Sequence, residues 1–275
     1  MPEGDTLYRI AAALKPHLVG RSVLSASARQ PGPRTDAIVG ATITSVESRG
    51  KHLLISFDSG LELRTHLGMH GSWHRYATGE KWRRPPSRAR LVIEVPGTVA
   101  VCFDAPTVEL YDSRAASIHP VLSALGPDLL DPDFGPQAVA EAVRRLRAPH
   151  RVELTIAEAL LDQQALAGIG NIFKSETLFV EEQFPFERVA ALDDESLRRL
   201  IETARRLLMA NLDRGIRVTT EGLAGAARGR HWVYGRTAQP CRRCETPIVA
   251  REHGRGNRRT YWCPSCQPEP AEAQP

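Results

Sequence analysis

Four of the five cysteines form two pairs whose spacing is typical of a metal site. Each pair is a Cys-x-x-Cys motif, eighteen residues separate the pairs, and the ligands would be Cys241, Cys244, Cys263 and Cys266. Two such motifs match a tetrahedral Zn²⁺ site with four thiolates. Because four thiolates leave no position for water, we expect one structural zinc ion. Two disulfide bonds are the alternative, which a cytoplasmic location disfavours.

The N-terminus offers a possible nucleophile, because the chain begins Met1-Pro2-Glu3-Gly4-Asp5. Removal of Met1 would expose the secondary amine of Pro2, and α-amines titrate near pH 8, roughly two units below a lysine side chain. Such an amine could attack a sugar C1′ to give an iminium (Schiff base), with Glu3 as general acid/base. Proline and acidic residues are also ordinary helix-start signals, so a purely structural role is the alternative.

Two further motifs contain candidate functional residues. Lys51 follows Arg-Gly in a turn that leads into a strand, a place where most lysines are simply solvated. Asn171 follows Gly-Ile-Gly between two helical patterns, so it lies near a helix N-terminus whose backbone N–H groups can bind an anion. This second motif is not a dinucleotide fingerprint, because Phe173 stands at the third glycine position and no strand precedes it.

Positive charge is concentrated around the cysteines. Residues 226–268 have a net charge of +7, which leaves −3 for the rest of a chain whose total is +4. A compact basic segment is the electrostatic signature of phosphate binding, although a solvated surface in an arginine-rich chain is the alternative. The glycine-containing segment 251–259 predicts a hairpin between the cysteine pairs. The arginines are Arg228, Arg230, Arg236, Arg242, Arg243, Arg251, Arg255, Arg258 and Arg259.

Hydrophobic periodicity predicts the elements that must position these residues. An amphipathic helix is expected directly behind Pro2, over residues 4–18. Short alternating runs separated by turn residues predict a β-sandwich or barrel, with Cys102 as a buried strand residue. These runs cover 41–49, 52–57, 61–66, 71–76, 89–95, 98–103 and 107–111. Helical patterns follow at 136–147, 151–163, 171–181 and 194–212.

Taken together, the motifs resemble those of the formamidopyrimidine-DNA glycosylase/endonuclease VIII (Fpg/Nei) family. Four signatures occur in family order: Pro-Glu-Gly-Asp-Thr at the start, Arg-Gly-Lys-His-Leu, Ala-Gly-Ile-Gly-Asn, and a C-terminal four-cysteine finger. The likeness extends from residue 2 to about 267. It implies an α+β multidomain fold and a base-excision-repair DNA glycosylase with AP lyase activity, which cuts by β,δ-elimination.

The resemblance also implies the domain boundaries. We expect a β-sandwich catalytic domain with a leading helix at 1–126 and a helix–two-turn–helix (H2TH) domain at 127–222. A zinc finger at 223–268 and a disordered tail at 269–275 would complete the chain, since the tail is polar and proline-rich.

The resemblance further implies residue roles. Pro2 would be the Schiff-base nucleophile, Glu3 the proton donor to the opening sugar, and Lys51 a lysine that assists catalysis and contacts phosphate. Asn171 and Arg258 would bind phosphates from the H2TH motif and the zinc finger. An apolar residue in the loop of Met69 would fill the gap that a flipped base leaves, which offsets part of the lost stacking.

The sequence favours the endonuclease VIII branch, and with it oxidised pyrimidines. Gly-Asp-Thr follows Pro2-Glu3, and the segment 108–114 lacks the Arg/Phe gap-filling pair of the 8-oxoguanine branch. Two alternatives stay open: an 8-oxoguanine/formamidopyrimidine-directed glycosylase of the same family, and a non-catalytic zinc-ribbon DNA-binding protein. The expected partner is double-stranded DNA that contains oxidised or abasic sites.

The remaining expectations come from composition. No run approaches the roughly 20 apolar residues of a membrane span, and the N-terminus lacks the regions of a secretory signal. We therefore expect no membrane association and a cytoplasmic, nucleoid-associated monomer.

Overall fold

The computed structural model describes residues 2–220, 229–254 and 256–270, apart from the side chains of residues 115–117. Met1, Arg228, Arg255 and residues 271–275 of the predicted tail lie outside this part of the chain. The chain divides into two compact units, Met1–Ala124 and Leu125–Pro275, each with its own hydrophobic core. Among the helices of the described residues, none combines the length and apolar character that crossing a membrane requires.

The first unit is a β-sandwich with a leading helix, as the sequence predicts. Helix α1 spans Gly4–Leu18, and the strands are β1 (Ser25–Ala28), β2 (Ile43–Arg49), β3 (His52–Phe57), β4 (Leu61–His66), β5 (Ser72–Ala77), β6 (Ala89–Val95), β7 (Thr98–Phe103) and β8 (Thr107–Asp112). One sheet has the order β2-β3-β4-β8 and the other β1-β6-β7-β5. Neighbouring strands in both sheets are antiparallel.

Alternation of apolar and polar residues explains why these strands form a sandwich. Leu53, Ile55 and Phe57 of β3 are buried in one core together with apolar residues of α1 and of the opposite sheet. Strand β7 is buried along its whole length, because a second, smaller cluster covers its other face. Cys102 is fully buried in β7, which confirms its predicted place in a strand.

The second unit begins with helices, which are α2 (Pro136–Leu146), α3 (Ile156–Ala159), α4 (Asn171–Val180) and α5 (Asp194–Met209). Helix α5 packs against both α2 and α4. Leu146, Phe173 and Leu200 lie in the same buried cluster and connect these three helices. The Asp193 side chain caps α5 by accepting the amide of Ser196 at 2.7 Å.

The predicted helix over 151–163 was wrong in its length, because only α3 is helical there. The Thr155 side chain caps α3, and the amide of Ile156 donates to the carbonyl of Glu187 at 2.8 Å. The amide of Ala157 donates to the carbonyl of Pro185 at 3.1 Å. The apolar spacing of this segment thus reflects burial, while a neighbouring loop accepts hydrogen bonds at the start of the helix.

The C-terminal part is a short hairpin between the cysteine pairs, formed by β9 (Val249–His253) and β10 (Arg258–Trp262). Trp232, Ile248, Cys241 and Cys263 share a small core with Phe179 of α4. Tyr261 packs against this core.

Candidate functional sites

Pro2 directly precedes α1, and the residue after it is a buried carboxylic acid. Glu3 is the N-cap of α1, where its backbone carbonyl accepts the amides of Thr6 at 2.9 Å and Leu7 at 3.2 Å. Pro2 is half-buried, whereas Glu3 is 0% exposed. The start of α1 therefore holds a carboxylic acid that is shielded from water on the residue next to the Pro2 nitrogen.

Lys51 lies in the tight turn between β2 and β3, next to Gly50 at φ +57°. Helix α1 packs against both of these strands. Burial lowers the pKa of His66, and the positive charge of Lys51 lowers it further. His52, the residue after Lys51, pairs with His66 at the end of β4, where the loop that carries Met69 begins.

A buried polar network fixes the start of β3, directly after Lys51. Nη1 of Arg64 donates to Nδ1 of His52 at 3.0 Å, and Nε and Nη2 of Arg64 donate to Glu109 at 2.9 and 2.6 Å. Burial first, and then the charge of Arg64, lower the pKa of His52 to about 3. Since a guanidinium group only donates, His52 accepts through Nδ1 as a neutral imidazole.

The loop between β4 and β5 presents Met69 to solvent. Met69 is 55% exposed. Gly68 has φ +57°, and a Cβ atom there would lie 2.9 Å from Pro106. The amide of Gly71 donates to the Leu67 carbonyl at 2.8 Å, and a Cβ at Gly71 would lie 2.4 Å from that oxygen. The two glycines thus allow a tight loop with a large apolar side chain in solvent.

The four paired cysteines come together in the second unit. Their ligand atoms all lie within 4.8 Å of one another. The Sγ–Sγ separations are 3.8 Å for Cys241–Cys266 and 3.4 Å for both Cys244–Cys263 and Cys244–Cys266. A tetrahedron with Zn–S bonds of ~2.3 Å has edges of about 3.8 Å, whereas a disulfide needs ~2.05 Å. The cysteines are free, and the donor set fits a structural metal ion.

Backbone amides support this thiolate cluster. The amide of Arg243 donates to Sγ of Cys241 at 3.4 Å, and the amide of Cys266 donates to Sγ of Cys263 at 3.4 Å. Such hydrogen bonds around a metal site orient the ligands and stabilise their negative charge.

Asn171 is the first residue of α4, and its side chain connects this helix to β10. It is 6% exposed, and its Nδ2 donates to the carbonyl of Arg259 at 2.9 Å. Its Oδ1 accepts from Nζ of Lys174 at 2.7 Å, and the same ammonium group donates to Oγ1 of Thr260 at 2.8 Å. The predicted phosphate-binding asparagine is therefore bonded to the strand that contains Arg258.

Arg258 is exposed at the first position of β10, directly after the hairpin turn. Its cross-strand neighbour is His253 of β9. Nε2 of His253 lies 2.9 Å from Oγ1 of Thr155 and 3.1 Å from Oε2 of Glu158. These contacts give the hairpin a second attachment, at the N-terminal end of α3.

Glu176 ties α4 to the segment that precedes the first cysteine pair. It is fully buried, and its carboxylate accepts the amides of Trp232 at 2.7 Å, Val233 at 3.0 Å and Tyr234 at 2.8 Å. The Thr219 hydroxyl also donates to it. Four donors satisfy the buried carboxylate, so its burial is compatible with a stable structure.

Sequence reasoning named the residues expected to do chemistry but missed those that hold them in place. Lys174 follows Asn171 by three residues, about one helical turn, so this spacing could have indicated a shared face. The other missed residues have partners far away in the sequence and gave no local signal. They are Arg64, Glu176 and Thr260.

Two protein-family models match the chain: the formamidopyrimidine-DNA glycosylase N-terminal domain at residues 1–115 and the formamidopyrimidine-DNA glycosylase H2TH domain at residues 125–221. Probable endonuclease 8 2 of Streptomyces coelicolor is 40% identical over 98% of this chain and 95% of its own. The DNA-(apurinic or apyrimidinic site) lyase Nei2 of Mycolicibacterium smegmatis is 39% identical over 97% and 99%. The crystal structure of MutM (Fpg) from Thermus thermophilus has a TM-score of 0.80 at 29% identity, over 98% and 100%.

Proposed function

Because the chain belongs to the formamidopyrimidine-DNA glycosylase/endonuclease VIII family, we propose that it is a base-excision-repair DNA glycosylase with AP lyase activity. The endonuclease 8 and AP lyase relatives are 40% and 39% identical to it, against 32% for the formamidopyrimidine-DNA glycosylase of Thermus thermophilus. This difference favours the endonuclease VIII branch. We therefore propose oxidised pyrimidines in double-stranded DNA as its substrates.

The observation that carries this proposal is the position of Pro2 directly before a fully buried Glu3 at the start of α1. Once Met1 is removed, the prolyl nitrogen is a secondary amine with a lone pair at neutral pH. A carboxylic acid on the next residue can exchange protons with whatever binds that nitrogen.

In the proposed reaction, the Pro2 nitrogen attacks C1′ of the damaged nucleotide. The C1′–N bond to the base breaks, and the base leaves with that electron pair and with the proton that the Pro2 nitrogen gives up. Glu3 donates a proton to the sugar ring oxygen, which opens the ring and leaves an iminium between C1′ and Pro2. Lys51, in the turn before β3, assists this step and contacts a phosphate.

The iminium then drives strand cleavage. It acidifies the C2′ proton, so loss of that proton breaks the C3′–O bond and releases the 3′ phosphate group by β-elimination. A second, δ-elimination breaks the C5′–O bond. Release of the sugar fragment from Pro2 by water restores the amine, and no soluble cofactor is consumed.

DNA binding involves three other predicted residues in this proposal. Asn171 and Arg258 bind phosphates, and Met69 enters the base stack when the damaged nucleotide rotates out. One Zn²⁺ bound by the four thiolates would stabilise the fold around the β9–β10 hairpin, from which Arg258 projects. We propose that the enzyme acts as a monomer on nucleoid DNA in the cytoplasm, where the proposed substrate occurs.

Borohydride trapping tests the proposal directly. Labelled duplexes with thymine glycol, 8-oxoguanine or a plain abasic site are incubated with protein and borohydride, which reduces the iminium to a stable adduct. A form that retains Met1 and the Pro2→Ala variant are the controls, and intact mass establishes the N-terminus. We expect an adduct on thymine glycol that both controls abolish or strongly reduce.

Glu3→Gln separates the two halves of the reaction. It removes the proton donor with little change in shape, so we expect loss of thymine glycol excision while abasic DNA, whose sugar opens without help, is still trapped.

In the trapping experiment, a preference of the wild type for the 8-oxoguanine duplex would assign the enzyme to the other branch. No adduct on any duplex, with Met1 removed and zinc bound, would leave the non-catalytic DNA-binding alternative.

A further inference from the structure

A buried lysine on α4 has no role in the reaction described above. Lys174 is 1% exposed, although lysine is rarely buried in proteins. Its ammonium group donates to Oδ1 of Asn171 at 2.7 Å and to Oγ1 of Thr260 at 2.8 Å. Burial of an ammonium group is costly even when it is well bonded. A leucine or methionine at this position would avoid that cost.

The first contact of Lys174 determines how the Asn171 amide is oriented. An ammonium group can only donate hydrogen bonds, so Oδ1 of Asn171 must face it. The amide nitrogen is then directed to β10, where it donates to the carbonyl of Arg259 at 2.9 Å. An amide nitrogen carries two hydrogens, and this bond uses one of them. Without Lys174, the amide could rotate and present its oxygen instead.

The second contact acts on the strand that Arg258 begins. Because Oγ1 of Thr260 accepts from Lys174, its own proton must point elsewhere, and the carbonyl of Arg258 lies 3.5 Å away. Thr260 is itself 1% exposed, and both hydrogen bonds of the Lys174 ammonium group are buried. The lysine thereby links the side chain of Asn171 to the backbone of Arg258.

We infer that Lys174 is a positioning residue for the binding of a DNA phosphodiester: it orients the Asn171 amide and aligns the start of β10 so that donors from both face the same anion. This inference rests on the proposed function, in which Asn171 and Arg258 bind phosphate. Since Lys174 is almost fully buried, it acts through these two neighbours and does not itself touch the phosphate.

A double-mutant cycle tests the inference by binding alone. The variants are Lys174→Met, Asn171→Ala and their combination, and Lys81→Met is the matched control because Lys81 is exposed. The probe is a fluorescent duplex that contains a tetrahydrofuran abasic analogue, measured by anisotropy at fixed salt. We expect Lys174→Met and Asn171→Ala each to weaken binding about tenfold, as the loss of one well-placed hydrogen bond would.

The combination is the decisive variant. Because Lys174 acts partly through Asn171, the two losses overlap, so the double variant should bind within a few-fold of Asn171→Ala alone, and the remaining difference reflects the contact with Thr260. A general structural defect or a direct phosphate contact would instead multiply the two losses to about a hundredfold. That result, or a Lys174→Met variant that binds like Lys81→Met, would overturn the inference.

Two further measurements keep the test clear. Thr260→Val removes only the second acceptor of Lys174, so it should also weaken DNA binding, and it can be measured even if Lys174→Met folds poorly. Unchanged binding by a folded Thr260→Val variant would refute the link to β10. Trapping at saturating abasic duplex should remain near wild type in the Lys81→Met control, because this exposed residue lies outside the contacts between α4 and β10 and Pro2 is unaltered. Failure of the wild type to be trapped would refute the proposed chemistry, whereas the binding cycle would still decide the role of Lys174.

Discussion

At the scale of single residues, His52 shows how burial controls protonation. Its imidazole accepts a hydrogen bond from Arg64 in a buried position, and its pKa falls to about 3, mainly through burial and then through nearby positive charge. Arg64 contributes most of this positive charge, and Lys51 contributes less. A charge on His52 would therefore break the bond that fixes the strand after Lys51.

This predicts a specific dependence of stability on pH. Unfolded His52 has a pKa near 6.5, so its neutral form stabilises the fold fully above pH 6.5, and this contribution is lost as the pH falls towards 3. His52→Gln keeps an acceptor for Arg64 but does not titrate. Between pH 7 and pH 4.5 we expect the wild type to lose about 2–3 kcal/mol more unfolding free energy than His52→Gln in urea titrations.

A control at an exposed histidine makes this prediction specific. His70 is exposed, so His70→Gln should lose stability with pH as the wild type does. Equal pH dependence in the wild type and His52→Gln would show that His52 is not held neutral by the fold.

The sequence alone could identify residues whose chemistry or spacing is unusual for the local structure in which they lie. Pro2 and Glu3 stand out because a proline amine is chemically distinct, and the cysteine spacing is a metal signature by itself. The spacing of Lys174 and Asn171 indicates only a shared helix face, and the contact of Lys174 with Thr260, 86 residues away in the chain, gave no signal in the sequence. Supporting residues of this kind can be identified only from the three-dimensional structure.

At the scale of elements, the loop between β4 and β5 combines a rigid base with an exposed tip. The Gly71–Leu67 hydrogen bond closes the loop, and Met69 is 55% exposed at its tip. An exposed methionine contributes little to folding, so truncation of Met69 should affect activity much more than stability if it enters the base stack as proposed.

A comparison of two methionines tests this explanation. Met69→Ala and Met209→Ala remove the same side chain from positions that are 55% and 44% exposed. Both should change stability by less than about 0.5 kcal/mol. Only Met69→Ala should slow single-turnover excision from duplex DNA, by about tenfold, since the loss of the wedge leaves base flipping less favourable by roughly 1.4 kcal/mol. Similar activity in both variants would contradict a role for Met69.

Elements with strong periodicity were predicted closely, and the misses have physical reasons. The predicted helix at 4–18 and the strands at 52–57, 61–66, 89–95 and 98–103 have the same bounds in the structure. Strand β1 was missed because its sequence, Ser-Ala-Ser-Ala, has no large apolar residue, and its pairing with β6 supplies the order. The pattern at 151–163 instead reflects burial of a mostly non-helical segment.

At the scale of the whole molecule, the two compact units have separate cores of different kinds. The first relies on a sandwich of two sheets. The second ends in a hairpin whose small core contains Cys241 and Cys263. A core of this size is marginal without a metal ion, so the two units should respond differently to chelation.

Metal removal provides the test. Elemental analysis should give one zinc ion per chain, and its removal by a chelator should unfold the hairpin region and weaken DNA binding at least about tenfold, because structural zinc contributes roughly 10–16 kcal/mol to such folds. Calorimetry should show an unfolding transition of the first unit that keeps its midpoint. Unchanged DNA affinity in metal-free protein would contradict the assignment of Arg258 to phosphate binding.

Cys102 offers a way to measure how often the first unit opens. Its side chain is completely enclosed in the central strand β7, and burial raises the pKa of its thiol far above the usual range. An alkylating reagent can react with this thiol only after the strand has opened to water. In zinc-loaded protein, the rate of Cys102 alkylation, followed by mass spectrometry, therefore measures how often the sandwich opens. A damaged DNA duplex that slows this rate is a ligand that holds the first unit closed.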